Sequence, residues 1–208
     1  MTNGHNDYYQ KEFTAYHQET FSVDPAPFLT PLTDRLPAPA HILDIGCGSG
    51  RDLRWFCERG YSGTGFEGSQ GLAELARRNS GCPIIEGDFS GYDFSSLPAD
   101  GILLIGALVH LGHDIFKDVL SNCLQALHGN GLVLITLKEG DGTRTDQRGR
   151  LFHLWHHEDV MKIFHNLGLT LVDFSRNVSQ IRPDDIWLGY LLSLDNIQKS
   201  SEQKDLSR

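Results

Sequence analysis

Along the chain, short apolar runs alternate with segments whose apolar residues recur every three to four positions. The run "AHILDI" precedes helical "DLRWFCERG", strand-like "SGTGF" precedes helical "SQGLAELARR", and "CPIIE" follows. Then come "DGILLIG", helical "HDIFKDVLSNCLQALH", a Gly-Asn-Gly turn at 129–131 and the strand "LVLITLK". Strand and helix in strict alternation predict a parallel sheet covered by helices on both faces. Two further strands, "LTLVDFSRNV" and "DIWLGYLLSL", follow a helix read over "HHEDVMKIFHNLG". The expected fold is α/β: a Rossmann-like, doubly wound, seven-stranded sheet, mostly parallel, with one antiparallel strand near the C-terminus.

The flanks are patterned differently. Residues 5–22 place Tyr9, Phe13, Tyr16 and Phe21 near a helical repeat, which predicts one amphipathic helix. Pro25 and Pro27 break it, and a short helix is expected through "FLTPLTDRL". Residues 139–150, "EGDGTRTDQRGR", are polar and Gly-rich and read as a long surface loop, a common form of lid. The expected organisation is a single domain over 1–194, with residues 1–36 as a helical N-terminal cap and 195–208 as a disordered tail.

Composition narrows the function classes. A formal net charge of −9 over 208 residues gives no electrostatic footprint for nucleic acid, so none is expected as partner. No apolar run nears the roughly 18 residues that cross a bilayer, and no segment resembles a signal peptide, so neither a membrane nor export is expected. Cys47, Cys57, Cys82 and Cys123 form no CxxC pair and suggest neither a disulfide framework nor a zinc site; a reducing cytoplasm is the expected location. His153, His156 and His157 lack a completing Cys or carboxylate, so no metal is expected. The pattern does not give the oligomeric state.

The candidate chemistry begins at "ILDIGCGSGRD", where Gly46, Gly48 and Gly50 follow the first strand. Glycines at this turn permit unusual backbone angles and close approach. The third comes one residue earlier than in the dinucleotide fingerprint GxGxxG, which weakens a nicotinamide reading. Asp44 stands just before them; its carboxylate repels a pyrophosphate and suits a cationic, amino-acid-like ligand.

Taken with "GTGFEGS", "EGDF" at 86–89 and "DGILLIGALVHL", this motif order resembles class I S-adenosylmethionine-dependent methyltransferases over approximately residues 8–194. "GRD" and "LKEGDG…RGRLF" look most like the small bacterial tellurite-resistance-type and related small-molecule enzymes. The resemblance implies S-adenosylmethionine as cofactor, with its methionine part on the backbone of Gly46, Cys47 and Gly48 and its ammonium near Asp44. It places the ribose hydroxyls on Glu67, beside Gly68, the adenine amino group on Asp88, and Phe89 against the ring. Gly106 leaves room beside the transferred methyl, and Tyr9 and Tyr16 on the N-terminal helix close over the site. A solvated strand-end Glu67, an Asx turn at Asp88 and packing roles for the tyrosines are the competing readings.

The expected acceptor is a small molecule, with an anionic one as the finer expectation. Arg150, Arg182 and Lys138 are the candidate substrate cations, against a reading as solvated loop charges. His110 in "ALVHLG" is the candidate catalytic base, with packing or substrate contact equally open. "GALV" replaces the Asn/Asp-Pro-Pro-aromatic motif of enzymes that methylate planar nitrogens, so adenine, cytosine and glutamine acceptors are not expected. Trp155 and Trp187 read as core or rim residues. Two alternatives remain: a non-catalytic cofactor-binding or partner-binding protein that keeps the fold, and an NAD-dependent oxidoreductase.

Overall fold

The computed structural model describes residues 4–194, with side chains from Tyr8 onward; the expected disordered tail at 195–208 lies outside the described residues. The first strand, β1 (His41–Ile45), pairs in parallel with β2 (Ser62–Glu67) on one side and β4 (Ala99–Ile105) on the other. Beyond β2 lies β3 (Ile84–Glu86), and beyond β4 lies β5 (Leu127–Glu139). The Gly-Asn-Gly segment sits where the β4/β5 register jumps from Ala99↔Leu127 to Gly101↔Leu132. Strand β9 (Ile186–Leu194) runs antiparallel to both β5 and β8 (Leu169–Val178), completing the order β3-β2-β1-β4-β5-β9-β8.

Alternation along the strands sends side chains to two cores. Leu43, Ile102, Leu104, Val133 and Ile135 face Phe116 and Leu120 of α6 (His113–Cys123) and Val160 and Phe164 of α7 (His157–Asn166). Ile42, Leu103, Leu132 and Leu134 face the opposite way, onto Leu29 and Leu32 of α3 (Ala26–Thr33) and Phe56 of α4 (Arg51–Cys57). Helix α5 (Gln70–Ser80) starts at Ser69, whose hydroxyl accepts from the Leu72 N–H, and stops at left-handed Gly81. In α7, Glu158 and Asp159 occupy the first turn, where they complement the helix dipole.

Two expectations need correction. The N-terminal pattern forms two helices, α1 (Gly4–Lys11) and α2 (Phe13–Thr20), broken at Glu12 (φ −108°, ψ 22°). The 139–150 segment is a hairpin arm: β6 (Thr143–Thr145) pairs antiparallel with β7 (Leu151–Trp155), giving nine strands among the described residues. Lys138 pairs with Leu154 of β7 on one edge and Trp187 of β9 on the other, so β7 takes the edge that β4 leaves at Ile105↔Thr136. The hairpin therefore stands over the carboxyl end of β4.

At Gly50 the turn depends on the absent side chain. Its φ is +82°, and a Cβ there would lie 2.8 Å from the Ala76 Cα in the α5 backbone, which cannot yield as a side-chain tip can. Gly50→Ala is expected to cost about 3 kcal/mol, a fall of roughly 10 °C in the thermal unfolding midpoint. An unchanged midpoint in calorimetry would show that α4 and α5 are not in register here.

Candidate active site

The sheet order reverses across β1 and β4, and there the strand tips open a crevice. The Gly46 and Cys47 N–H groups donate to the Phe66 carbonyl at 2.8 and 3.1 Å. The Gly48 N–H donates to Glu67 Oε2 and the Ser69 N–H to Oε1, both at 2.8 Å. Glu67 thus grips the turn after β1 and the turn after β2 at once. Burial raises its carboxyl from 4.5 to about 7, against the lowering by the N–H groups of Ser69, Gly48 and Gly68.

Asp44 is 2% exposed, and its buried Oδ2 has no hydrogen-bond partner. Burial, then the charge of Asp52, pushes its carboxyl well above the ordinary value; Arg51 opposes this, but Arg51 is itself bonded to Asp52 at 2.7 Å. An orphaned buried carboxylate in an acidic crevice fits a ligand ammonium, so the residues suit the amino-acid end of S-adenosylmethionine. Not all three glycines serve a ligand. A Cβ on Gly46 would meet the Ala107 Cβ at 2.7 Å, so its bareness serves the close approach of the turns after β1 and β4, as that of Gly50 serves helix packing. The Cys47 side chain likewise packs into the α4/α5 core, leaving only its backbone to the crevice.

The N-terminal cap docks on this crevice. The Tyr9 carbonyl accepts from Ser69 Oγ at 2.8 Å, Gln10 Nε2 donates to the Gly68 carbonyl at 2.9 Å, and the Phe13 ring covers Gly71. The Tyr16 ring approaches Gly48 and meets Tyr9 edge-on at 5.1 Å. Asp88 is exposed, and its Oδ1 accepts from the Ser90 N–H and hydroxyl, so the Asx turn is realised; Phe89 is half-buried against the main core.

A cleft of about 100 Å³, open to solvent, lies between Tyr9, Tyr16, Phe152 and Trp187. Gly106 has φ +65°, donates its N–H to Thr136 Oγ1 at 2.8 Å and faces the Trp187 ring, which links the cleft to the tip of β4. The three candidate cations Lys138, Arg150 and Arg182 all line the cleft. Each is already paired. Lys138, 3% exposed, donates to Asp185 Oδ2 at 2.5 Å with its Nζ 3.7 Å over the Phe152 ring. Burial lowers its pKa, and Asp185 only partly restores it. Arg150 and Arg182 bond Asp146 at 2.7 and 2.8 Å. Burial raises the Asp146 carboxyl, but the bonds from these two arginines outweigh it and hold the group well below the usual range. Arg144 contacts Asp185, and Arg148 bonds Glu19 at 2.5 Å. In this network five cations meet three carboxylates, an excess of two positive charges in a chain of net charge −9.

His110 ends a 3-10 turn, Leu108–His110, after β4. Its Nδ1 lies 2.5 Å from the Leu151 carbonyl, which only accepts, so Nδ1 carries the proton of the neutral ring. Nε2 then accepts from the Tyr9 hydroxyl at 2.9 Å. Tyr9 lines the cleft and His110 stands behind it. The anchors Glu19, Asp146, Asp185 and Phe152 escaped the sequence reading. One signal was present: Asp146 and Gly149 three residues apart mark a turn, and "LFHLW" after it has strand composition.

A doubly wound sheet with a bare-backbone turn, an acid after β2 and a capped crevice defines an α/β class in which ligands lie beyond the carboxyl ends of the strands. Residues 42–131 match the family described as "Methyltransferase domain", so this stretch of the chain carries a methyltransferase domain. No curated protein matches the chain. Among solved structures, a Burkholderia thailandensis 1,6-didemethyltoxoflavin-N1-methyltransferase is 23% identical, with TM-score 0.73, over 91% of this chain and 85% of its own. A TehB-like methyltransferase from Corynebacterium glutamicum is 21% identical, with TM-score 0.66, over 92% and 98%. A magnesium protoporphyrin IX methyltransferase from Synechocystis is 12% identical, with TM-score 0.73, over 91% and 97%. Among the described residues no helix is long and apolar enough to cross a membrane, and no three metal-ligating side chains cluster.

Proposed function

We propose that this enzyme methylates a small anionic molecule held in the Tyr9–Trp187 cleft. The observation that carries the proposal is the convergence of three cations from separate parts of the chain, Lys138, Arg150 and Arg182, on the lining of this one cleft. The Burkholderia relative, crystallised with a small acceptor and S-adenosylhomocysteine, supports a small-molecule substrate. S-adenosylmethionine supplies an activated methyl group on a sulfonium, so the protein's task is alignment and exclusion of water. Asp44 receives the ammonium, Glu67 the ribose hydroxyls and Asp88, through the Oδ2 outside its Asx turn, the adenine amino group; the Gly46–Gly48 backbone and Gly68 lie along the cofactor. Tyr16 covers Gly48, and Gly106 leaves space toward the cleft.

Lys138, Arg150 and Arg182 orient the anion. Their existing carboxylate partners hold the side chains in place, which reduces the ordering cost of binding. If the nucleophile carries a proton, Tyr9 Oη accepts it while passing its own to His110 Nε2, whose ring is fixed by the Leu151 carbonyl. His110 thus acts through Tyr9.

The test is calorimetry with S-adenosylmethionine and S-adenosylhomocysteine, followed by S-adenosylhomocysteine formation with thiols, phenols, carboxylates and metalloid oxyanions. Binding of both ligands, with turnover confined to anionic acceptors, is expected. Failure of either ligand to bind at millimolar concentration would remove the cofactor assignment. Binding with no turnover across the panel would favour a non-catalytic cofactor-binding protein.

A further inference from the structure

The cysteine spacings suggest no disulfide framework, yet the fold brings two of the four thiols together. Cys57 is the last residue of α4, and Cys82 follows Gly81, the left-handed cap of α5. Their Sγ atoms lie 3.0 Å apart as free thiols. Cys57 is half-buried and Cys82 is 8% exposed, in a wall of Leu53, Ala73, Ala76 and Ile84. That wall offers no charge to bind a thiolate and no third ligand to make a metal site. A thiol–thiol contact is a weak hydrogen bond, so two sulfurs placed this way gain little while reduced.

We propose that Cys57 and Cys82 form an oxidation site, closing an intrachain disulfide in reaction with a small disulfide such as glutathione disulfide. The Cys57 thiolate, on the more exposed side, attacks one sulfur of the oxidant. That S–S bond breaks, and the first glutathione leaves as a thiolate that takes up the proton lost by Cys57. The Cys82 thiolate then attacks Cys57 Sγ, and the mixed disulfide breaks. The second glutathione leaves and takes up the proton from Cys82. Two protein thiols are oxidised, and one glutathione disulfide is reduced to two thiols. Burial, then the hydrogen bond with Cys82, holds the Cys57 thiol up to about 12, so the first step quickens roughly tenfold per pH unit below that value. The pair answers sustained oxidation, not a brief pulse.

The new bond closes a loop that contains β2, Glu67 and α5. Helices α4 and α5 both begin at the crevice, after Gly50 and Ser69, and both end at this thiol pair. The bond therefore ties their far ends and leaves the Glu67 contacts in place. This inference is independent of the methyl-transfer reading.

The full chain is incubated with glutathione disulfide at mildly alkaline pH, alkylated and mapped by peptide mass spectrometry. A Cys57–Cys82 crosslink two hydrogens lighter than the dithiol is expected, with an unfolding midpoint raised by roughly 5–10 °C and reversed by dithiothreitol. Cys57→Ser, at the half-buried position, abolishes both changes. Full alkylation of both cysteines after treatment would overturn the proposal, as would glutathione held permanently on Cys57, since Cys82 would then be unable to resolve it. Unaltered S-adenosylhomocysteine affinity in the oxidised protein is expected; a loss of affinity would overturn the claim that the bond leaves the Glu67 contacts in place.

Discussion

Glu67→Gln is expected to weaken S-adenosylhomocysteine binding by about 100-fold or more, ~3 kcal/mol, while the domain stays folded. The carboxylate already accepts from Gly48 and Ser69 at 2.8 Å each, leaving its remaining lone pairs for two ribose hydroxyls. In the amide, one oxygen becomes an NH2 group, which must face either a backbone N–H or a hydroxyl that has lost its acceptor. The loss of one bond to the turn opposes the relief of burying a charge. Calorimetric titration with thermal unfolding separates the outcomes: full affinity with a normal midpoint would remove Glu67 from the cofactor site.

The same residue predicts a pH dependence. Its carboxyl titrates near 7 in the folded protein against 4.5 ordinarily, so the folded state holds the proton more tightly. The stability this confers is complete below about 4.5 and is lost as pH rises to about 7. Ribose hydroxyls donate to the ionised form. Cofactor affinity therefore climbs with pH, by up to roughly tenfold per unit, and levels off above about 7. Asp44, also raised by burial, adds in the same direction. Affinity that stays flat through this range would contradict ionisation on binding, and Glu67→Gln should lose its part of the slope.

The sheet was legible because its central strands are buried on both faces and read as short unbroken apolar runs: Ile42 and Leu43 face opposite cores, side by side in "HILDI". The crevice was legible because glycines and an acid at fixed spacing have few other uses. The hairpin was not, because all three residues of β6 are exposed and leave no apolar alternation to read. Nor was the break at Glu12. Tyr9, Phe13 and Tyr16 fit one helical repeat, but Tyr9 must reach His110 while Phe13 settles on Gly71. His110 stood out by type and place; that a phenol stands between it and the cleft is tertiary information. The cations were visible as a set, whereas their partners Asp146 and Asp185 lie far along the chain or inside the hairpin turn.

Asp185→Asn is expected to destabilise the protein by about 3–5 kcal/mol, lowering the midpoint by roughly 10 °C. Asp185 is 5% exposed and accepts from Lys138, itself 3% exposed, while also contacting Arg144. Burial raises the carboxyl, but the Lys138 bond and charge outweigh it, so the group is ionised. Removing that charge strands a buried ammonium whose pKa is already lowered, which costs far more than a surface pair is worth. Within the cleft, Asp185 also occupies the charge that an anionic acceptor would use. The variant should therefore bind a carboxylate or sulfate more tightly than the wild type and regain part of its lost midpoint when the anion is added. Mere damage to the fold would weaken anion binding, so tighter binding in a less stable protein separates an anion cleft from a structural ion pair. An unchanged midpoint, or no anion rescue, would count against the cleft as the acceptor site.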